Sequence, residues 1–229
     1  NFSDRNNWDT PIAFDPADNN IMYYGTNFLY KSIDGAGSWS AISPDLTNGS
    51  GMGNLSFGTI TSIDVSPLNS NIIYAGTDDG NVWSTTDSGT NWTNVSGSLP
   101  NRWVTRVQAS PNDMNTVYVT FSGYRYGEDN GHVYTSSDNG TNWNDISTGL
   151  PDIPVNDIEV DEFNNLFLGT DIGVLASDDN GINYLELWIN QENTNLKDYD
   201  PPYEFIVDIK SFTDIEEGST IGLSVKAYD

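Results

Sequence analysis

Not one of the chain's 229 residues is a cysteine, which removes disulfides and thiolate metal sites from consideration. Basic residues are scarce too. Eight lysines and arginines face 33 aspartates and glutamates, giving a formal net charge of −25. A surface of that sign repels phosphate, so nucleic acid is excluded as a partner and an anionic membrane is disfavoured. It suits solubility and loosely held divalent cations such as Ca2+, and no organic cofactor is expected. No apolar run reaches the roughly 18 residues that a membrane span needs. The opening stretch, Asn1 to Thr10, is polar and does not read as a signal peptide, so an exported form would carry its signal upstream. Histidine occurs once, at His132, which excludes any multi-histidine metal site.

What the chain does have is aromatic and branched residues, in short runs cut by Asn, Asp, Gly, Ser and Pro. Aromatics make up 12% and include 7 tryptophans, enough to build a packed core. Short apolar runs between turn clusters read as strands, and the predicted class is all-β.

Self-comparison exposes a repeat. Four segments follow Ser/Thr-x-Asp-x-Gly-x-x-aromatic, starting at positions 32, 85, 136 and 177. In the first, Ser32, Asp34 and Trp39 hold the pattern, with Ala36 at the glycine position. The second has Thr85, Asp87, Gly89 and Trp92; the third has Ser136, Asp138, Gly140 and Trp143. The fourth has Ser177, Asp179 and Gly181, with Tyr184 in place of tryptophan. Upstream of each box stands an apolar strand: Ile21 to Thr26, Ile72 to Thr77, Thr116 to Phe121 and Asn165 to Thr170. Before each of these is another, ending at Phe14, Val65, Ala109 and Val160. A third strand enters each box and a fourth leaves through its aromatic residue. Four short strands in about 40–55 residues is the size of a propeller blade.

The four boxes resemble the Asp-box, or bacterial neuraminidase repeat, of sialidases, sortilin-like receptors and xyloglucan-active glycoside hydrolases. The segment from Trp8 to Thr47 is similar to interior parts of long bacterial sortilin-like propeller proteins. The resemblance implies a β-propeller of four-stranded antiparallel blades over residues 1–190. It also implies a secreted or cell-surface bacterial protein. Four blades are few for a closed ring, so the chain is expected to be part of a larger propeller.

Residues 191–202, with Pro201-Pro202, read as a linker. Residues 203–229 alternate as strands do around Glu216-Glu217-Gly218-Ser219. They resemble the opening of an Ig-like or cadherin-like module, with a degenerate fifth blade as the alternative. A module that stops two strands in implies other domains of the same larger polypeptide.

Elementary chemistry assigns the boxes to the scaffold. Ser and Asp side chains can accept from nearby backbone N–H groups and pin a tight turn. Glycine permits the positive φ such a turn needs, and the aromatic residue tucks under the hairpin. Trp39, Trp92 and Trp143 are therefore expected to be buried and equivalent.

Catalytic signals are thin. His132 aligns with Phe28, Asn81 and Gly173, an ordinary strand-entry position read as a surface or hairpin histidine. No nucleophile elbow accompanies it. Sialidases bind their substrate carboxylate through three arginines. Here Arg5, Arg102, Arg106 and Arg125 stand without the accompanying Arg-Ile-Pro motif. A two-carboxylate glycosidase stays open, since 33 acidic residues do not select a pair. Gly49 to Gly53 lacks the Lys-Ser/Thr of a phosphate loop and reads as flexible loop.

Two insertions distinguish the units: the link from Thr47 to Gly58, and the hairpin loop from Ser122 to Gly131. Strand alternation places both on one face, opposite the boxes. Long loops on a rigid scaffold are where binding residues concentrate. Phe57, Tyr124, Arg125 and Tyr126 are the candidate ligand-binding residues, fitted to stack on a sugar or anchor an extracellular protein. The predicted role is a noncatalytic binding and scaffold module for a glycan or protein, with a polysaccharide-acting glycoside hydrolase as the alternative.

Overall fold

The computed structural model describes residues 4–50, 57–123, 131–148, 150, 152–171 and 173–177, together with the backbone of three later strands between 184 and 228. The described residues hold strands, turns and no helix. The first sheet is β1 (Ile12–Phe14), β2 (Met22–Gly25), β3 (Leu29–Ser32) and β4 (Ser40–Ala41). The second is β5 (Ile60–Val65), β6 (Ile73–Thr77), β7 (Val82–Thr85) and β8 (Thr93–Asn94). The third is β9 (Val104–Ala109), β10 (Val117–Phe121), β11 (Val133–Ser136) and β12 (Asn144–Asp145). In each sheet the strands lie in chain order, every neighbour antiparallel. These are propeller blades, and the chain is an all-β propeller. Each of the first three boxes forms the turn from the third strand to the fourth.

Pairing repeats with the sequence. Tyr23 lies opposite Lys31, Tyr74 opposite Ser84 and Tyr118 opposite Thr135. The first strands of successive blades adjoin one another. Thr61 Oγ1 donates to the Val104 carbonyl and Thr105 Oγ1 to the Val155 carbonyl, each at 2.6 Å. These threonines clamp neighbouring first strands together.

Apolar side chains alternate to the two faces of each blade, so the core lies between blades. Tyr23, Leu29 and Leu46 of the first unit meet Ile60, Ile63, Val65, Ile73 and Ala75 of the second. Ile72, Tyr74, Val82 and Val95 of the second meet Val104, Val107, Ala109, Val117, Val119 and Phe121 of the third. Each interface buries one face of each blade, and this burial is the main force stacking the units.

The fourth unit departs from the expected pattern. Its sheet contains β13 (Val155–Val160), β14 (Leu166–Thr170) and β15 (Gly173–Ser177). The strand leaving through Tyr184, β16 (Tyr184–Ile189), pairs instead with β17 (Glu192–Asp198) and β18 (Leu223–Tyr228). The physical reason is length. The fourth strands β4, β8 and β12 have 2 residues each and pair weakly. β16 offers six residues, all apolar or aromatic but Glu186, and forms a full ladder with β18. Part of the segment read as linker is thus the edge strand β17, where a polar sequence is tolerated because only one backbone edge pairs. The expected strand Tyr203 to Lys210 lies outside the described residues.

Candidate functional site

The box turns are built alike. Asp34 Oδ1 accepts from Ser38 N, Asp87 Oδ1 from Asn91 N and Asp138 Oδ1 from Asn142 N, all at 2.8 Å. The hydroxyls of Ser32, Thr85 and Ser136 donate back to the same carboxylates at 2.8 Å. They also accept from the backbone N–H of Ala36, Gly89 and Gly140. These bonds hold each aspartate below the usual carboxylate range: chiefly from Ser38 for Asp34, and from Asn91 and Asn142 for Asp87 and Asp138. Every strong acceptor is satisfied within the turn, as a scaffold requires.

Two further features tie a box to the preceding blade. The Trp92 indole donates to the Ile42 carbonyl at 2.8 Å, and the Trp143 indole to the Val95 carbonyl at 2.7 Å. Gly89 and Gly140 have φ of 90° and 88°. A Cβ there would lie 2.8 Å from Ile42 and from Val95 respectively. Only glycine fits both the backbone and the neighbour. The expectation of three equivalent, buried tryptophans is not met at any of the three boxes. Trp92 and Trp143 are half-buried, whereas Trp39 is 38% exposed, because no described blade covers its side. In the fourth box, Ser177 is buried, while Asp179 and Gly181 lie outside the described residues, as does the side chain of Tyr184.

The opposite face is organised by the first insertion. Arg5 reaches over it: Nε donates to the Gly58 carbonyl at 2.9 Å, and the terminal nitrogen donates to Asp45 at 2.6 Å and Thr47 at 2.8 Å. Asn27 adds a bond to the same Asp45 oxygen at 2.9 Å. Burial raises the Asp45 carboxyl, but the bonds from Arg5, Thr47 and Asn27 outweigh it and hold the group below its ordinary range. Asp78 accepts from the backbone N–H of Phe57 and of Thr59, and burial pushes its carboxyl up. Asp79 accepts from Asn48 N at 2.6 Å. Gly58 has φ of 66°, and a Cβ there would sit 2.0 Å from the Gly49 carbonyl oxygen. The link is therefore pinned at both ends against the hairpin loops of the first two blades.

On this support sit two aromatic rings. Trp8 is 90% exposed and Phe57 37% exposed, with centroids 6.3 Å apart and planes tilted by 41°. The segment carrying Trp8 is anchored one residue earlier, where Asn7 Nδ2 donates to Thr59 Oγ1 at 2.9 Å. Exposed rings on an anchored backbone can stack on a flat apolar surface such as a sugar ring. Phe57 was among the sequence candidates; Trp8 was not. The available signal was a lone tryptophan in a polar run, Asn6-Asn7-Trp8-Asp9, belonging to no box and no alternating strand.

Tyr124, Arg125 and Tyr126 lie outside the described residues. The ends of their loop are described: Ser122 N donates to the Trp103 carbonyl, on the interblade-link side of the third blade. His132 corrects the reading of a surface histidine, being only 4% exposed. Its Nε2 lies 2.9 Å from Asp152 Oδ1 and its Nδ1 3.2 Å from the Phe121 carbonyl oxygen. The ring is buried because Gly123 and Arg102 close over it. Among the described residues, no group of three or more His, Asp or Glu could hold a metal ion.

No family model matches the chain, and no curated protein does. Solved structures do. An ancestral GH74 enzyme is 22% identical over 78% of this chain and 24% of its own, with a TM-score of 0.60. The GH74 enzyme of Niastella koreensis is 19% identical over 75% of this chain and 26% of its own, with a TM-score of 0.53. The GH74 xyloglucanase from Xanthomonas campestris is 16% identical over 70% of this chain and 26% of its own, with a TM-score of 0.54. The likeness is one of fold, and the chain spans about a quarter of the length of these proteins.

Proposed function

We propose that this chain is a noncatalytic binding and scaffold module of a larger secreted or cell-surface protein, and that it recognises a glycan. The four boxes are taken as Asp-box repeats with a structural role. The observation that carries the reading is the exposed Trp8–Phe57 pair, held on the link face by the Arg5–Asp45 and Asp78–Thr59 networks. An aromatic pair supplies contact area with few rotors to freeze, so binding loses little conformational entropy. Tyr124, Arg125 and Tyr126 would extend the same face from the third blade.

The carboxylates of this face support binding over hydrolysis. A glycosidase needs two carboxyl groups free to reach the scissile bond. Asp45, Asp78 and Asp79 each already accept bonds that hold the link in place, and Asp78 is 3% exposed. A glycan-array comparison tests the proposal, using the parent, Trp8→Ala and the Tyr124→Ala/Tyr126→Ala double variant. The reading expects binding to neutral glycans that weakens in both variants at nearly unchanged Tm. Hydrolysis of a bound glycan, or equal binding by all three proteins, would overturn it.

A further inference from the structure

The side of the first blade that faces away from the second has the residues of a blade interface and, among the described residues, is left uncovered. Phe14 aligns with Val65, Ala109 and Val160, and Ile12 with Ile63, Val107 and Ile158. The six equivalents are 0 to 7% exposed, but Ile12 is 58% and Phe14 55% exposed. The box aromatic tells the same story. Trp92 and Trp143 donate to the carbonyl that follows the preceding blade's fourth strand. Among the described residues no acceptor meets the Trp39 indole, whose ring contact is Tyr24 at 6.0 Å. Three apolar groups and a donor are laid out as they are where a blade packs.

We infer that this face seats another propeller blade, and that Ala36 restricts which blade it takes. Ala36 occupies the box position held elsewhere by Gly89 and Gly140, at φ 70°. At those glycines a Cβ would meet the β-branched residue of the neighbour at 2.8 Å. The residue facing Ala36 must therefore be smaller, and glycine is the one that fits. The matching position in this chain is Ile42, Val95 and Ile146, each donating its N–H to the carbonyl of the first residue of its blade's third strand, Leu29, Val82 and Val133. All three are β-branched, so none of this chain's own first three blades, in a second copy, has the required shape. The occupant is a four-stranded blade with glycine after its fourth strand, offering that residue's carbonyl to the Trp39 indole. Continuity with the two described interfaces, which use the same face of the second and third blades, carries the assignment.

The test fuses a copy of residues 10–47 ahead of the full chain. The copied residue facing Ala36 is kept as isoleucine or changed by Ile42→Gly within the copy. Iodide quenching of Trp39 is read as the difference between each protein and its Trp39→Phe variant. With the glycine copy, Trp39 is expected to become as protected as Trp92. With the isoleucine copy it should stay as accessible as in the parent, and Ala36→Gly in the recipient blade should restore protection. Unchanged accessibility in all fusions would overturn the seat. Equal protection by both copies against Ala36 would overturn the size rule. Self-association of the parent chain that Phe14→Asp abolishes would also overturn it, by making a second copy the occupant.

Discussion

Replacing Trp92 by alanine removes two separable contributions. The indole N–H bonds the Ile42 carbonyl at 2.8 Å, and a bond of this kind contributes about 1 kcal/mol net. The ring is half-buried against the core between the first two blades. An aromatic side chain buries 150–250 Å² when fully enclosed, so half of that is roughly 100 Å², or about 2.5 kcal/mol at 25 cal/mol per Å². Trp92→Ala should therefore cost about 3.5 kcal/mol, and Trp92→Phe, which keeps most of the ring, about 1 kcal/mol. Trp39 occupies the same box position, is 38% exposed and bonds no described carbonyl. Its replacement by alanine loses no such bond and should cost about 1 kcal/mol less than that of Trp92. Urea unfolding at constant m-value measures all three. Equal losses at Trp39 and Trp92, or a Trp92→Ala protein within about 0.5 kcal/mol of the parent, would refute the view that box tryptophans act by gripping the preceding blade.

Other perturbations probe the interior and the link. Asp64, on the first strand of the second blade, accepts from Ala109 N at 2.6 Å, and burial raises its carboxyl to about 7. Between the unfolded value of about 4 and the native value of about 7 the native state holds the extra proton, so this group's contribution to stability falls as pH rises through that window. Asp64→Asn keeps an acceptor for Ala109 and should gain roughly 1–3 kcal/mol over the parent at pH 8 and little at pH 4, by paired denaturant melts. Gly58→Ala forces a Cβ towards the Gly49 carbonyl at positive φ and should lower the Tm by several degrees, as seen by calorimetry. Arg5→Met removes three bonds to the link; hydrogen exchange at Thr47 and Gly58 should speed up at least tenfold while the amides of β6 stay protected.

The blades were legible because a propeller writes its topology into the chain. Ser32, Thr85 and Ser136 mark the third-to-fourth strand turn at positions the structure reproduces. The opposing faces of box and insertion followed from strand alternation alone. What stayed hidden depends on neighbours distant in sequence. Trp39 and Trp92 are the same residue in the same motif, and only the presence of a preceding blade separates the exposed one from the bonded one. His132, at the hairpin end, read as a surface residue, since its burial comes from Gly123, Arg102 and Asp152, which no local pattern joins to it. Trp8 escaped notice because its importance comes from Phe57, placed beside it by the folding-back of the link. The fate of Tyr184 to Ile189 turned on competition between two partners, which periodicity does not rank.

The central claim is that the link face, and not the box face, meets the ligand. The direct measurement follows the indole N–H resonances of the 7 tryptophans in the full 15N-labelled chain during titration with neutral oligosaccharides that score on the array. The account predicts that the Trp8 resonance shifts with saturation, that Trp39, Trp92 and Trp143 stay fixed, and that Phe57→Ala raises the apparent Kd about tenfold or more, a loss of roughly 1.4 kcal/mol. Shifts confined to the box tryptophans, or saturation with Trp8 unmoved, would contradict it.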